Sequence, residues 1–249
     1  DTLDKVEQNR KECYIREFSI EHFHDSKVFE TLIPKICKIF REENEELTGF
    51  ENEEILAEYQ IYKTPGYVYM KGNVQIYSAG KQAADISAFP EGIAVAVGSE
   101  EDVPDICPDQ TIDKVFTIEN LTSFYRFKQE HSLVIYLGGY HNRSRRNLLM
   151  QIYQKLPDAQ YYHFGDLDAG GFYILEHLKR KTGIPFQMFQ MDIETLKKYE
   201  DYAKPLTEND KKRLMQLEKM KLPDEERKLI TYMLQKGIKL EQECISESQ

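Results

Sequence analysis

A chain of 249 residues has room for one large or two modest domains, and its 41% hydrophobic and 31% charged content is that of a globular protein, too apolar for a disordered one. The formal net charge of −10 gives no overall basic signal for nucleic acid, and no apolar run approaches the roughly 20 residues of a membrane-spanning helix. The charge is uneven: residues 1–110 hold 11 Lys and Arg against 23 Asp and Glu, and residues 111–249 hold 22 against 20, so only the second half leaves room for a local basic face.

The opening "DTLDKVEQNRKE" is not a signal peptide and lacks an initiator Met, so the chain is expected to be a piece of a longer protein. Residues 1–13 are polar and read as a frayed helix or a junction. "REFSIEHFHDSKVFE" (16–30) reads as a short strand and turn leading into a helix, in which Val28, Leu32, Ile33, Ile36 and Phe40 recur at helical spacing. In "HFHD", strand alternation would set His22 and His24 on one face. No Cys or further His supports a metal site there, and a structural or surface role is favoured. Residues 55–96 hold short strand candidates, "YQIYKT", "YVYMKG", "VQIYS" and "IAVAVG", punctuated by Gly66, Gly72, Gly80 and Gly92. The acidic, twice-Pro "SEEDVPDICPDQ" (99–110) is a boundary or a long loop. The expected division is an N-terminal α+β domain at 1–107 and an α/β domain at 108–249. The four cysteines are far apart and form no CxxC pair, which excludes a zinc ribbon or a dense disulfide framework and fits a reducing, cytoplasmic setting.

After residue 110, strands and helices alternate. "KVFTIEN" (114–120), "SLVIYLGG" (132–139), "AQYYHFGD" (159–166) and "PFQMFQM" (185–191) read as strands. "LTSFYRFKQ", "SRRNLLMQIYQKL" (144–156) and "GGFYILEHLKRKTG" (170–183) read as the helices between them, with more helices after residue 192. Such alternation implies a parallel sheet with helices on both faces, whose functional groups gather at the carboxyl ends of the strands. Glu119 then ends the first strand, Gly138 and Gly139 the second, and Asp166 and Asp168 the third. Clustered carboxylates repel one another unless a cation is present, and Mg²⁺ is content with two or three of them plus water. A metal held there stabilises charge on a phosphodiester, and a nearby Glu moves a proton. A DxD before a helix is also a common N-cap, and a Glu at a strand end is commonly solvated, so capping and metal binding both stand as readings. Gly170 and Gly171 point to a turn where a backbone or phosphate comes close. In "HNRSRRN" (141–147), Arg143, Arg145 and Arg146 sit at a helix start beside Gly139, either as a DNA-phosphate contact or as a solvated basic patch. His163 is expected to be a strand side chain. Glu241, in "KLEQE", lies near the site or pairs with an Arg to lock the last helix.

"FTIEN", a glycine-bearing second strand and "FGDLDAGGFYIL" resemble the Toprim domain of topoisomerases, primases and some nucleases. "TIENLTSFYRF", "LGGYHNRSRRNLL", "HFGDLDAGGFYILEHL" and "KLEQE" resemble more closely the D subunits of Wadjet anti-plasmid defence systems, which are related to the A subunit of topoisomerase VI. The resemblance covers roughly residues 15–245 and includes Ser26-Lys27. It implies a Toprim-type parallel sheet flanked by helices, after a smaller winged-helix/CAP-like α+β domain. It implies a metal-dependent DNA endonuclease that hydrolyses closed circular DNA. Glu119 would be its general acid/base and a metal ligand, and Asp166 and Asp168 would hold Mg²⁺ or Mn²⁺. Gly139, Arg143, Arg145 and Arg146 would face DNA. The implied partners are double-stranded plasmid DNA, a condensin-like SMC motor with accessory subunits, and a second copy of the chain, with no membrane. Two alternatives stay open: a topoisomerase VI A-like tyrosine transesterase, using one of Tyr14, Tyr59, Tyr62, Tyr67, Tyr69 or Tyr77, and a non-catalytic Toprim-like scaffold that binds DNA or partners.

Overall fold

The computed structural model describes residues 1–44, 47, 50–63, 66–97, 104–138 and 143–245. In chain order the first elements are α1 (Thr2–Gln8), β1 (Cys13–Tyr14), α2 (Ile15–Phe23), α3 (Val28–Glu43), α4 (Asn52–Glu58) and β2 (Ile61–Tyr62). They enclose a core of their own, with Val6, Phe18, Phe29, Cys37, Phe40 and Ile55 at its centre. The strand expected at the start of residues 16–30 is a helix. Glu17 returns its Oε2 to the Tyr14 N–H at 2.8 Å, capping the helix start, and Ile15, Phe18 and Ser19 are buried at helical rather than alternating spacing. His22 and His24 therefore do not share a strand face. His22 lies in the last turn with its ring against Phe18, and His24 closes the helix at φ 57°.

The chain continues through β3 (Gly66–Lys71), β4 (Val74–Ser78), β5 (Lys81–Asp85), β6 (Ile93–Val97) and β7 (Asp105–Pro108). Then come β8 (Lys114–Ile118), α5 (Leu121–Arg126), β9 (Ser132–Tyr136), α6 (Arg143–Lys155), β10 (Gln160–Phe164), α7 (Ala169–Thr182) and β11 (Gln187–Met188). The last elements are α8 (Ile193–Lys198), β12 (Lys204–Pro205), α9 (Glu208–Glu218), α10 (Asp224–Lys236) and β13 (Ile238–Lys239). The fourth strand is shorter than its seven-residue pattern. Only Gln187 and Met188 pair with β10, and Gln190 then turns the chain away at φ 53°.

The main sheet has the order β11-β10-β8-β9-β3-β6. Its first four strands are parallel, and β3 and β6 extend it antiparallel beyond β9. Strands from both sides of residue 107 thus share one sheet. β4 forms a smaller sheet with β5 and β7. Side-chain alternation divides the main sheet into two cores. Val115, Leu133, Ile135 and Tyr161 face one way, onto Leu148, Leu149 and Ile152 of α6 and Leu175 and Leu178 of α7. Phe116, Ile118, Val134 and Phe164 face the other way, onto Phe124 of α5, Leu214 and Leu217 of α9 and Ile230 and Met233 of α10. From β8 the chain moves to β9 on one side, then returns past β8 to β10 on the other. The strand order reverses between β8 and β10, and a crevice opens beyond the carboxyl ends of strands at such a point.

Candidate functional site

Ile118 and Phe164 are in register at the ends of β8 and β10. Glu119 leaves the sheet with its N–H on the Phe164 carbonyl at 3.1 Å, and its Oε2 receives the Asp166 N–H at 3.4 Å. Asp168 caps α7, its Oδ1 accepting from the Gly171 N–H at 2.9 Å. The two sequence readings of the DxD therefore divide between its residues: Asp168 is a cap, and Asp166 is not. The glycines make room for this turn. A Cβ on Gly171 would overlap the Asp166 carbonyl, and a Cβ on Gly165 would lie 2.7 Å from Glu119 Oε2 and 2.8 Å from His163 Nε2.

Burial, then the charges of Asp166 and Asp168, push the Glu119 carboxyl up to about 8. Asp166 is pushed up to about 6, mainly by burial. The Gln242 N–H, 2.6 Å from its Oδ1, works against the rise, while Asp168, Glu241 and Glu243 add to it. Three hard oxygen donors under mutual repulsion suit a divalent cation such as Mg²⁺ or Mn²⁺ by their chemistry. In the arrangement seen, one oxygen of Asp166 and one of Asp168 are spent on backbone N–H groups. Among the described residues, no group of three or more His, Cys, Asp or Glu is disposed to hold a metal.

Arg145 and Arg146 of α6 are engaged inside the protein rather than presented to a ligand. Arg145 sends its guanidinium to the carbonyls of Leu137 and Tyr67, and burial pulls its pKa down. Arg146 pairs with Glu58 at 2.8 Å, and His177 (3.7 Å) and Lys181 (3.5 Å) approach the same carboxylate. Burial acts to raise Glu58, but Arg146, His177 and Lys181 outweigh it and hold the carboxyl below its usual range. Gly139 and the side chain of Arg143 lie outside the described residues. Of the tyrosines, Tyr59 in the first half and Tyr136 beside Glu119 have phenols pushed up, by burial first, which is the opposite of an activated nucleophile.

Two participants have no signal in composition or spacing. His163 is fully buried, with Nδ1 3.0 Å from Thr117 Oγ1. Its Nε2 finds no partner among the described residues, and burial, assisted by Lys179, holds the ring neutral with a pKa down at about 3. Gln242 is also fully buried and bonds the segments after both β8 and β10. Reading "KLEQE" for charge selects the glutamates on either side. Glu241 pairs with Lys204 at 2.5 Å rather than with an Arg, and Glu243 accepts from Asn120 Nδ2 at 2.7 Å. Among the described residues, no helix is long and apolar enough to cross a membrane.

The family model "Wadjet protein JetD, C-terminal" matches residues 101–249, more than half of the chain. The Wadjet protein JetD of Bacillus cereus (strain Q1) is 29% identical over 235 residues, 92% of this chain and 56% of that protein, so the chain spans little more than half the length of the curated relative it matches. The matched region contains β8, β10, α7 and the residues that close over them, and through it the chain belongs to the Wadjet JetD family.

Proposed function

We propose that the chain carries the cleavage site of a Wadjet-type plasmid-defence complex, as a metal-dependent DNA endonuclease that hydrolyses closed circular DNA. The observation behind this reading is the meeting of Glu119 and Asp166 at the carboxyl ends of β8 and β10, both carboxyls held above their usual range by burial and by neighbouring acids. Acids whose pKa values are raised by burial and by like charges are candidates for a functional site. The parallel β11-β10-β8-β9 order with carboxylates after β8 and β10 is consistent with a Toprim-type sheet. Mg²⁺ or Mn²⁺ bound there would stabilise charge on the phosphodiester and orient the attacking water. In this reading Glu119 moves a proton. Asp166 and Asp168 would each offer the oxygen that the backbone does not use. Residues 108–249 make the cut, with Gly139 and Arg143 toward DNA, while Arg145 and Arg146, held by Leu137, Tyr67 and Glu58, do not take the DNA-facing role expected of them. Residues 1–107, a winged-helix/CAP-like part, dock DNA or partner subunits. The partners are plasmid DNA, a condensin-like motor with its accessory subunits, and a second copy for the second strand.

A non-catalytic scaffold is the second reading. It is favoured by the same fact that separates the carboxylates from a ready-made metal site: no three-residue ligand group among the described residues. Supercoiled plasmid incubated with the protein and Mn²⁺ or Mg²⁺ separates the two. Metal-dependent cutting with free DNA ends, lost in Glu119→Gln and Asp166→Asn, establishes hydrolysis. Protein-linked ends establish a tyrosine mechanism instead. Absence of cutting and of Mn²⁺ binding, with or without the motor subunits, leaves the scaffold.

A further inference from the structure

Residues 240–243 reach the site through an isolated antiparallel bridge between Leu240 and Leu167, with N···O distances of 2.9 and 3.1 Å. The bridge lays Gln242 across the ends of β8 and β10. Its Oε1 accepts the Asn120 N–H at 2.8 Å, and its Nε2 donates to the Phe164 carbonyl at 3.1 Å. That carbonyl also receives the Glu119 N–H, the last ladder bond between the two strands. A glutamine amide offers the donor and acceptor of a peptide unit, and here it occupies the place of the next rung after the strands have parted. The main-chain N–H of the same residue holds Asp166 Oδ1 at 2.6 Å. A single buried side chain thus touches the residue that follows Glu119 and the residue that ends β10, while its backbone holds the Asp166 carboxylate.

We propose that Gln242 is a positioning residue of the carboxylate site, fixing the spacing between Glu119 and Asp166 by bridging the segments that carry them. The inference rests on the reading of Glu119, Asp166 and Asp168 as the cleavage site. The apolar core holds the side chains of Phe164, Leu167 and Leu240 without any polar bridge between those side chains. The bonds of the Gln242 amide go to the site loops.

The test compares the unaltered protein with Gln242→Met, which keeps the volume and removes the amide, and with Leu214→Ala, a core change in α9 away from the site. Three quantities are read: amide hydrogen exchange along the chain, Mn²⁺ affinity, and plasmid cutting. Gln242→Met is expected to speed exchange at Asn120 about tenfold while β9 stays protected. It is also expected to weaken Mn²⁺ binding and cutting about tenfold or more, as loss of a residue behind a metal ligand does. Leu214→Ala is expected to lower the melting temperature without either effect. Unchanged exchange at Asn120 with unchanged Mn²⁺ affinity, or the same losses in Leu214→Ala, would overturn the proposal. If Gln242→Met does not fold, Gln242→Asn, whose shorter amide cannot bridge both segments, is read by the same criteria. If the unaltered protein neither binds Mn²⁺ nor cuts DNA, the nuclease reading falls, and exchange at Asn120 alone decides the role of Gln242.

Discussion

Glu119 keeps to about pH 8, and Asp166 to about pH 6, a proton that an exposed carboxylate releases at about pH 4, and this has a stability consequence with a definite sign. A carboxyl raised in the folded state binds its proton more tightly there than in the unfolded chain. For Glu119 no penalty exists below about 4.5; it grows as pH rises toward about 8, where the folded carboxyl finally ionises at a cost. Glu119→Gln removes the charge that burial and Asp166 oppose. The variant is expected to match the unaltered protein in urea unfolding at pH 4 and to be more stable at pH 8, by on the order of 2–4 kcal/mol. An equal gap at both pH values would show that the Glu119 environment has been misread. Gly171 offers a second test of sign. Helix propensity alone favours Ala over Gly by about 1 kcal/mol. A Cβ at this position meets the Asp166 backbone, which cannot swing aside as a side chain does. Gly171→Ala is therefore expected to destabilise by roughly 1–3 kcal/mol, measured by chemical denaturation. A stabilised variant would mean that the turn after β10 is open. At this scale the sequence shows the acids, because Glu119, Asp166 and Asp168 stand where the apolar strand patterns end. It hides Gln242, because an uncharged amide between two glutamates looks like surface until the fold buries it.

At the scale of elements, the N-terminal helices meet the helices that cover the sheet through apolar contacts of Ile174 and through Glu58 at the end of α4. It faces Arg146 of α6 and His177 and Lys181 of α7, so one carboxylate joins three helices. Arg146 is 11% exposed in its side chain and Glu58 17%, which puts the pair in the regime where losing one partner is costly. Glu58→Ala is expected to cost about 2–4 kcal/mol, read as a lower urea midpoint. Mn²⁺ affinity should be unchanged, since none of these groups touches Glu119 or Asp166. His177 adds an acid limit. Burial holds it at about 4, with Arg146 and the neighbouring lysine and arginine on the same side and Glu58 opposing. Below its ordinary value of 6.5 the unfolded chain takes up a proton that the folded chain refuses, so stability falls from about 6.5 toward 4. His177→Phe should flatten that part of the stability profile; an unchanged slope would assign the acid limit elsewhere. None of this network is legible beforehand, because Glu58 and Arg146 lie 88 residues apart in the chain. What is legible is periodic: β8, α5, β9, α6, β10 and α7 stand where the alternation of apolar runs sets them. The failures are local. The start of residues 16–30 looks like a strand because Phe18 and Ile20 alternate with polar neighbours, yet Glu17 capping and the i, i+3 burial of Ile15 and Phe18 make a helix. Residues 185–191 have strand composition, but the chain leaves the sheet after Met188.

Across the whole molecule, the two halves differ in charge yet share a sheet, and the charge pattern is a poor guide to how the chain comes apart. A boundary at residue 107 separates acidic from balanced sequence and falls beside a Pro-rich stretch. The hydrogen bonds ignore it: Tyr69, Met70 and Lys71 of β3 pair with Tyr136, Ile135 and Val134 of β9, and β6 completes the edge. Val68, Met70, Val74, Ile76, Ile86 and Ile106 lie in the same core as Leu133, Ile135, Leu148 and Leu175. Cutting the chain at 108 would expose β9 as an unpaired edge and strip the apolar residues that cover one face of it. Exposed apolar edges of this kind drive aggregation. Residues 108–249 expressed alone are therefore expected to be insoluble or loosely packed, whereas residues 66–249 keep both strands and most of that core. Circular dichroism melting and sedimentation of the two fragments give the comparison. A cooperative, monomeric melt from 108–249 would show that the β8–β11 half folds on its own and that β3 and β6 only dock onto it. The opposite result would make the acidic half a structural component of the sheet that presents Glu119, which explains why its composition need not resemble that of a DNA-binding surface.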